Sequence, residues 1–168
     1  MSASPPRFDI GAVPARWVTL DDDVMGGHSR SRVTLRGGVL VFSGTTSLED
    51  SGGFASIRAR GAFDFDGALG LRLRLRGDGR RYQLRLATDA RYRGSKVSWR
   101  GEVAAPADTW TDAVVAFDRM QPTYRGTVLD GPALMRSKVE DVGVLVGDGR
   151  AGPFMLQIAG IAPVHGVS

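Results

Sequence analysis

From Leu69 to Arg76 the chain reads Leu-Gly-Leu-Arg-Leu-Arg-Leu-Arg. This strict period of two sets Leu71, Leu73 and Leu75 on one face and Arg72, Arg74 and Arg76 on the other. A helix would scatter those leucines around its axis, so the segment predicts a half-buried strand. Gly77-Asp-Gly79 predicts a turn, and Arg81–Ala87 returns with Tyr82, Leu84 and Leu86 alternating against Gln83 and Arg85. The two segments are expected to form a hairpin and one wall of a sandwich. Ser31–Arg36, the Gly37-Gly38 turn and Val39–Phe42 predict a second hairpin. Phe54–Arg60 and Lys96–Val103 alternate as well, and Trp110–Phe117 predicts a further strand. Val142–Val146 and Phe154–Ile158 are apolar runs suited to positions facing a core. Asp118–Arg136, broken by Pro122, Gly126, Gly131 and Pro132, is expected to be an irregular loop with a short helical turn near Ala133–Lys138. With 23 glycines and 8 prolines the chain is punctuated too often for long helices. Eight to ten short strands are expected, packed as two antiparallel sheets, with no repeat at a fixed period.

Composition narrows the classes of function. A chain of 168 residues holds one domain with a real core. Absence of cysteine excludes disulfides, thiolate nucleophiles and thiolate-ligated zinc, and absence of asparagine removes any glycosylation sequon. No apolar run approaches the length of a membrane span and the first residues lack a signal-peptide core, so a cytoplasmic protein without a membrane span is expected. The net charge is +4 but unevenly placed: Arg58–Arg100 carries twelve Lys and Arg against four Asp, leaving the remainder at −4. Arg72, Arg74, Arg76, Arg81 and Arg85 are expected to lie across the one hairpin as a solvated outer face. Without stacking aromatics among them, specific nucleic-acid binding is not expected.

The apparent catalytic motifs fail on context. Gly147-Asp-Gly-Arg-Ala-Gly152 spells a dinucleotide-binding fingerprint, but Pro153 and a strand-like run follow where a helix must begin, so a hairpin turn is expected. Arg76-Gly-Asp78 reads as a turn. His28 and His165 stand in no recognisable ligand or triad spacing. Asp22, Asp23, Glu49 and Glu102 could be paired for glycoside hydrolysis, as acids in almost any chain could. Asp21-Asp-Asp23 lacks the spacing of a calcium loop and is read as pairing with an arginine and capping the Met25–Gly27 turn, although a structural Ca²⁺ stays open. No catalytic residue, no metal site and no cofactor is assigned.

The most structured stretch is Arg16–Arg58, with its acidic triplet, three Gly-Gly pairs and the aromatics Trp17, Phe42 and Phe54. Trp17-Val-Thr-Leu-Asp-Asp-Asp-Val-Met-Gly-Gly-His-Ser29, Phe42-Ser-Gly44, Ser47–Arg58, Tyr82–Arg85, Trp110–Phe117, Pro122–Gly126 and Gly152–Ile158 together resemble the complex I intermediate-associated protein 30 family, from about Trp17 to Ile161. The resemblance implies a single-domain, all-β galactose-binding-like fold, a jelly-roll β-sandwich of two antiparallel sheets similar to carbohydrate-binding modules, with no accepted catalytic residues. It also implies the role of mitochondrial members as assembly chaperones of respiratory complex I. A departure from the mitochondrial pattern is expected, with no targeting presequence and almost no extension, residues 1–15 and 163–168 being expected to flank a domain at 16–162.

The residues matching the family motif are Asp22, Asp23, Gly26, Gly27, Ser29, Glu49, Gly52, Gly53, Phe54, Ser56 and Arg125, and they are either binding residues or structural corners. Asp22, Asp23 and the Gly26-Gly27 turn are expected beside Gly52-Gly53-Phe54, with Arg58 or Arg125 as cationic partner and Phe54 nearer the surface. A non-enzymatic binding or assembly-factor domain is expected, its protein partner a respiratory-complex subunit or assembly intermediate. Carbohydrate or small-ligand binding is the alternative, with Tyr92, Trp99 and Tyr124 as stacking rings.

Overall fold

The computed structural model describes residues 17–21, 27–49 and 52–166. Twelve strands are found among them: β1 (Trp17–Thr19), β2 (Arg30–Arg36), β3 (Val39–Thr46), β4 (Ala55–Phe63), β5 (Ala68–Arg76), β6 (Arg81–Tyr92), β7 (Ser95–Ala104), β8 (Trp110–Ala116), β9 (Gln121–Tyr124), β10 (Thr127–Val128), β11 (Val139–Val146) and β12 (Gly152–His165). They form a seven-stranded sheet in the order β1-β4-β11-β6-β7-β9-β10 and a five-stranded sheet in the order β2-β3-β12-β5-β8. All the pairings within both sheets are antiparallel. The fold is the expected all-β jelly-roll sandwich.

The core lies where the alternation put it. Leu71, Leu73 and Leu75 from one sheet meet Tyr82, Leu84 and Leu86 from the other, and all six are buried. Burying such side chains is worth about 1.5–3 kcal/mol each. The β2–β3 hairpin turns through Gly37 and Gly38, both at positive φ, as a two-residue turn matched to strand twist requires.

Two expected hairpins are instead crossings between sheets. β5 belongs to the five-stranded sheet and β6 to the seven-stranded one, so Gly77–Arg80 carries the chain from one wall to the other. The same holds for Gly147–Ala151 between β11 and β12, which is neither a hairpin turn nor a nucleotide loop. Alternation is silent on this point, because strands on opposite walls face the same core. The arginines expected on one face are therefore divided, Arg72, Arg74 and Arg76 on one sheet and Arg81 and Arg85 on the other. The Asp118–Arg136 segment is also more ordered than expected. It holds 3₁₀ turns at Phe117–Arg119 and Arg136–Lys138 and the small β9–β10 hairpin. Pro122 is tolerated in β9 because the strand lies near a sheet edge, covered only by the two-residue β10. At the C-terminal end β12 continues through residues 163–165, beyond the domain end expected at 162.

The two crossings share the tetrapeptide Gly-Asp-Gly-Arg, at 77–80 and 147–150. In each, the Asp Oδ1 accepts the backbone N–H two residues on, at 3.0 Å for Asp78 and 3.2 Å for Asp148, and the second glycine takes positive φ. The copies are tied by Arg80, whose Nε and Nη2 donate to the two oxygens of Asp148 at 3.1 and 2.7 Å. Nη1 donates to the carbonyls of Gly152 and Pro153, and Nη2 to Thr46 Oγ1 and the Arg150 carbonyl. Both side chains are buried, at 8% and 6% exposure. Hydrogen bonds from Arg80, reinforced by its charge, hold the Asp148 carboxyl below its ordinary range despite burial.

This geometry fixes a pH dependence. A carboxyl whose folded pKa is depressed contributes stability above its unfolded pKa and loses it as pH falls through the folded value. Asp148→Asn should lower the melting temperature at pH 7, by the equivalent of about 3–5 kcal/mol for a broken buried pair. It should also flatten the loss of stability below about pH 4. Thermal melts followed by circular dichroism from pH 2 to 8 check this, and an unchanged acid slope in the variant contradicts it.

Candidate functional site

The register of the seven-stranded sheet lines up one row of residues on its outer face. Arg58 on β4 is paired with Gly143 on β11, Gly143 with Arg85 on β6, Arg85 with Arg100 on β7, and Arg100 with Gln121 on β9. Inward neighbours of the row are core residues such as Ile57, Val144, Leu84 and Trp99, so the row must point outward. Three arginines thus share a line, with a glycine between the first two.

Gly143 is required by close approach. A Cβ there would stand 2.7 Å from the Ile57 carbonyl oxygen and 3.3 Å from the Arg58 Cβ. Arg85 is half-buried and its hydrogen bonds go only to neutral groups. Nε donates to Ser98 Oγ at 3.1 Å, Nη1 to Gln83 Oε1 at 2.8 Å and Nη2 to Thr123 Oγ1 at 3.4 Å. Burial, and then the like charge of Arg100 opposite, push the Arg85 pKa below the usual guanidinium value. Among the described residues no carboxylate lies within ion-pair distance of Arg58, Arg85 or Arg100. On the other sheet Arg74 pairs with Asp112 and Arg76 with Asp108, while Arg72 is in no ion pair among the described residues.

At the end of the face is a cleft of about 440 Å³ lined by Arg60, Asp64, Asp89, Lys96, Lys138 and Glu140, among others. Arg60 there is paired with Asp141, and Lys96 with Glu140 and Asp141.

The aromatic candidates separate. Trp99 is not a stacking ring: it is 1% exposed in the core, with its indole N–H donating to the Pro132 carbonyl at 3.2 Å. Its place in the β7 alternation, between Val97 and Gly101, signals an inward side chain. Tyr92 and Tyr124 do come together, ring centroids 5.1 Å apart and edge to face. Each stands before an arginine and a glycine at positive φ, Arg93-Gly94 and Arg125-Gly126, and each ring carries the guanidinium of its own arginine at 5.4 Å. The pair joins the tips of the β6–β7 and β9–β10 hairpins.

Of the motif residues, Asp22, Asp23 and Gly26 lie outside the described residues. Their neighbour Asp21 is buried and accepts from Ser31 Oγ at 2.6 Å and from the Ser56 N–H at 3.3 Å. Ser56 Oγ donates to the Leu20 carbonyl, and Ser29 Oγ accepts the Ser47 N–H at 2.9 Å. Gly27 is buried beside this corner in sequence, Glu49 is exposed, and Gly52, Gly53 and Phe54 are half-buried. The Gly52 N–H closes a turn on the Glu49 carbonyl, and Gly53 takes positive φ against Leu48. The Asp22–Asp23 turn for which Arg58 or Arg125 is the expected partner lies outside the described residues, and the two arginines are far apart. Arg58 is on β4 and Arg125 on the β9–β10 tip, four strand spacings or about 19 Å across the sheet.

The sequence profile of the complex I intermediate-associated protein 30 family matches residues 7–158. The chain belongs to the complex I intermediate-associated protein 30 family. No curated protein matches this family member in sequence. Among solved structures, the family 11 carbohydrate-binding module of the cellulosomal cellulase Lic26A-Cel5E of Clostridium thermocellum is similar at TM-score 0.70 and 12% identity, over 99% of this chain and 98% of that one. The family 11 module from Clostridium thermocellum in complex with a β-1,3-1,4-mixed-linked tetrasaccharide gives 0.68 and 11%, over 91% of each chain. The agarase AgWH50C gives 0.61 and 12%, over 98% of this chain but 25% of its own. At these identities the likeness shows the fold. Among the described residues of this domain no group of three or more His, Asp or Glu is placed to hold a metal ion, and no helix is long and apolar enough to cross a membrane.

Gly143→Ala tests the floor of the row. The added methyl meets backbone rather than a flexible side chain end, so the variant should lose about 1–3 kcal/mol by urea denaturation. An unchanged unfolding midpoint would contradict the close approach of β4 and β11.

Proposed function

We propose that this domain is a non-enzymatic binding domain of the assembly-factor kind, and that its protein partner lies on the outer face of the seven-stranded sheet. One observation carries the reading: Arg85 is half-buried among neutral acceptors with Arg100 directly opposite and no carboxylate within ion-pair distance, the nearest on the ladder being exposed Glu102, one row along opposite Gln83. Like charges held together in a partly desolvated place oppose folding. Such arrangements persist at sites kept for recognition rather than stability. Family membership supports a partner among the subunits or assembly intermediates of a respiratory complex.

A second reading, carbohydrate binding, is favoured by the Tyr92–Tyr124 pair, where Tyr92 is 37% exposed. The family 11 modules that share the fold add support. Its place is the hairpin tips rather than the arginine row.

The two readings part in one experiment. Wild type, Gln83→Trp on the proposed face, Val114→Trp on the outer face of the five-stranded sheet and Tyr124→Ala are immobilised and exposed to native cell extract and to a glycan array. A protein retained by wild type, Val114→Trp and Tyr124→Ala but lost from Gln83→Trp is the expected result. Glycan binding lost only in Tyr124→Ala, with no protein retained, would overturn the first reading in favour of the second.

A further inference from the structure

We propose that the Arg58–Arg85–Arg100 row binds the carboxylates of an extended acidic peptide segment laid across the strands, an inference that rests on the reading of this face as the partner surface. The three arginines run from β4 to β7, about 14 Å across three strand spacings, which is the length of about four extended residues. Arg85 and Arg100 are neighbours at about 5 Å, and Arg58 stands about 10 Å from Arg85. An extended peptide presents side chains to one side every 7 Å or so, within the reach of flexible guanidinium stems at those spacings.

The donors left over fit carboxylates. A guanidinium has five N–H donors, and Arg85 directs three of its bonds to Ser98, Gln83 and Thr123. Arg100 makes a single long bond to Gln121 Oε1, at 3.4 Å. The remaining N–H groups suit bidentate carboxylate binding, which needs a planar fork. Arg60 and Lys96 beside the row are unlike it, being already paired with Asp141 and Glu140. Gln83 and Gln121 at its margins offer both donor and acceptor to a peptide backbone.

Other anionic polymers fit less well. Across the three rows centred on Arg58–Arg100, the outward positions of β4, β11, β6 and β7 hold no aromatic ring. Nucleobases are held without sequence preference chiefly by stacking on such rings. Sugar rings would likewise find no flat apolar surface there, the exposed tyrosines being on the hairpin tips.

The test uses the whole chain and a labelled dodecapeptide alternating Glu and Ser, with an alternating Gln–Ser peptide, oligogalacturonate and single-stranded DNA as comparators. Fluorescence anisotropy is read at low and physiological salt, and the Arg Nε–H resonances are followed by NMR. The Glu–Ser peptide should bind most tightly and shift Arg58, Arg85 and Arg100. Arg58→Glu and Arg100→Glu should each weaken it by about tenfold or more, and Arg72→Glu on the other sheet by less than about twofold. Melting curves establish that each variant is folded, and Arg58→Gln replaces any that is not. Tighter binding of oligogalacturonate or DNA, equal weakening by Arg72→Glu, or no peptide binding would overturn the inference. If the peptide fails while Gln83→Trp still loses the extract protein, the acidic segment falls and the binding face stands. Loss of the face reading would appear instead as retention of that protein by Gln83→Trp.

Discussion

The bidentate contact between Arg80 and Asp148 is the constraint around which the sandwich closes. It joins two crossings of identical sequence, each carrying the chain from one sheet to the other, and it does so where both side chains are cut off from water. A buried pair is stable only if its remaining hydrogen-bonding groups are satisfied. Here the guanidinium also collects three backbone carbonyls and the Thr46 hydroxyl. Asp78, in the other copy, accepts from the buried Tyr82 hydroxyl and from the Met155 N–H. Each wall of the core is thus tied to the other at the same end, and strands β5, β6, β11 and β12 are set in register by polar contacts that tolerate little displacement.

That registration has a functional consequence on the opposite side of β6. Once Leu84 and Leu86 are fixed inward, Arg85 has to point outward, and its cross-strand neighbours follow from the same ladder. The arginine row is therefore a product of the core alternation, but its lack of carboxylates is not. On the five-stranded sheet the same alternation gives Arg74 and Arg76, and the partners Asp112 and Asp108 neutralise them. The contrast between Arg85, bonded only to neutral groups, and Arg74 and Arg76, which have acidic partners, is what sets the middle of the seven-stranded face apart.

Much of the fold was legible, because a period of two with glycine punctuation leaves little freedom: the leucines of β5 and β6 and the β2–β3 hairpin stand where the alternation places them. What alternation cannot report is which sheet a strand joins, and so the β5–β6 and β11–β12 connections were read as hairpins. The duplicated Gly-Asp-Gly-Arg was the available signal for both crossings, and it does not occur at a regular repeat length. Of the site, Tyr92 and Tyr124 stand out in the sequence as aromatics, whereas the inward face of Trp99 follows only from the alternation of β7 through Val97. From the sequence, Arg58 is expected as one of two candidate partners for the acidic turn. Its neighbours Arg85 and Arg100 come from strands 27 and 42 positions on, and only sheet order brings them together.

The central claim is that two arginines five residues apart do opposite work, Arg80 holding the fold and Arg85 kept for a partner. Parallel thermal melts of Arg80→Met and Arg85→Met at neutral pH test it most directly. Arg80→Met strands a buried carboxylate and should lower the melting temperature by about 10 °C or more. Arg85→Met removes a charge that lies opposite Arg100 and is bonded only to neutral groups, and should leave the melting temperature unchanged or raise it. A loss of stability in Arg85→Met as large as that in Arg80→Met would contradict the account.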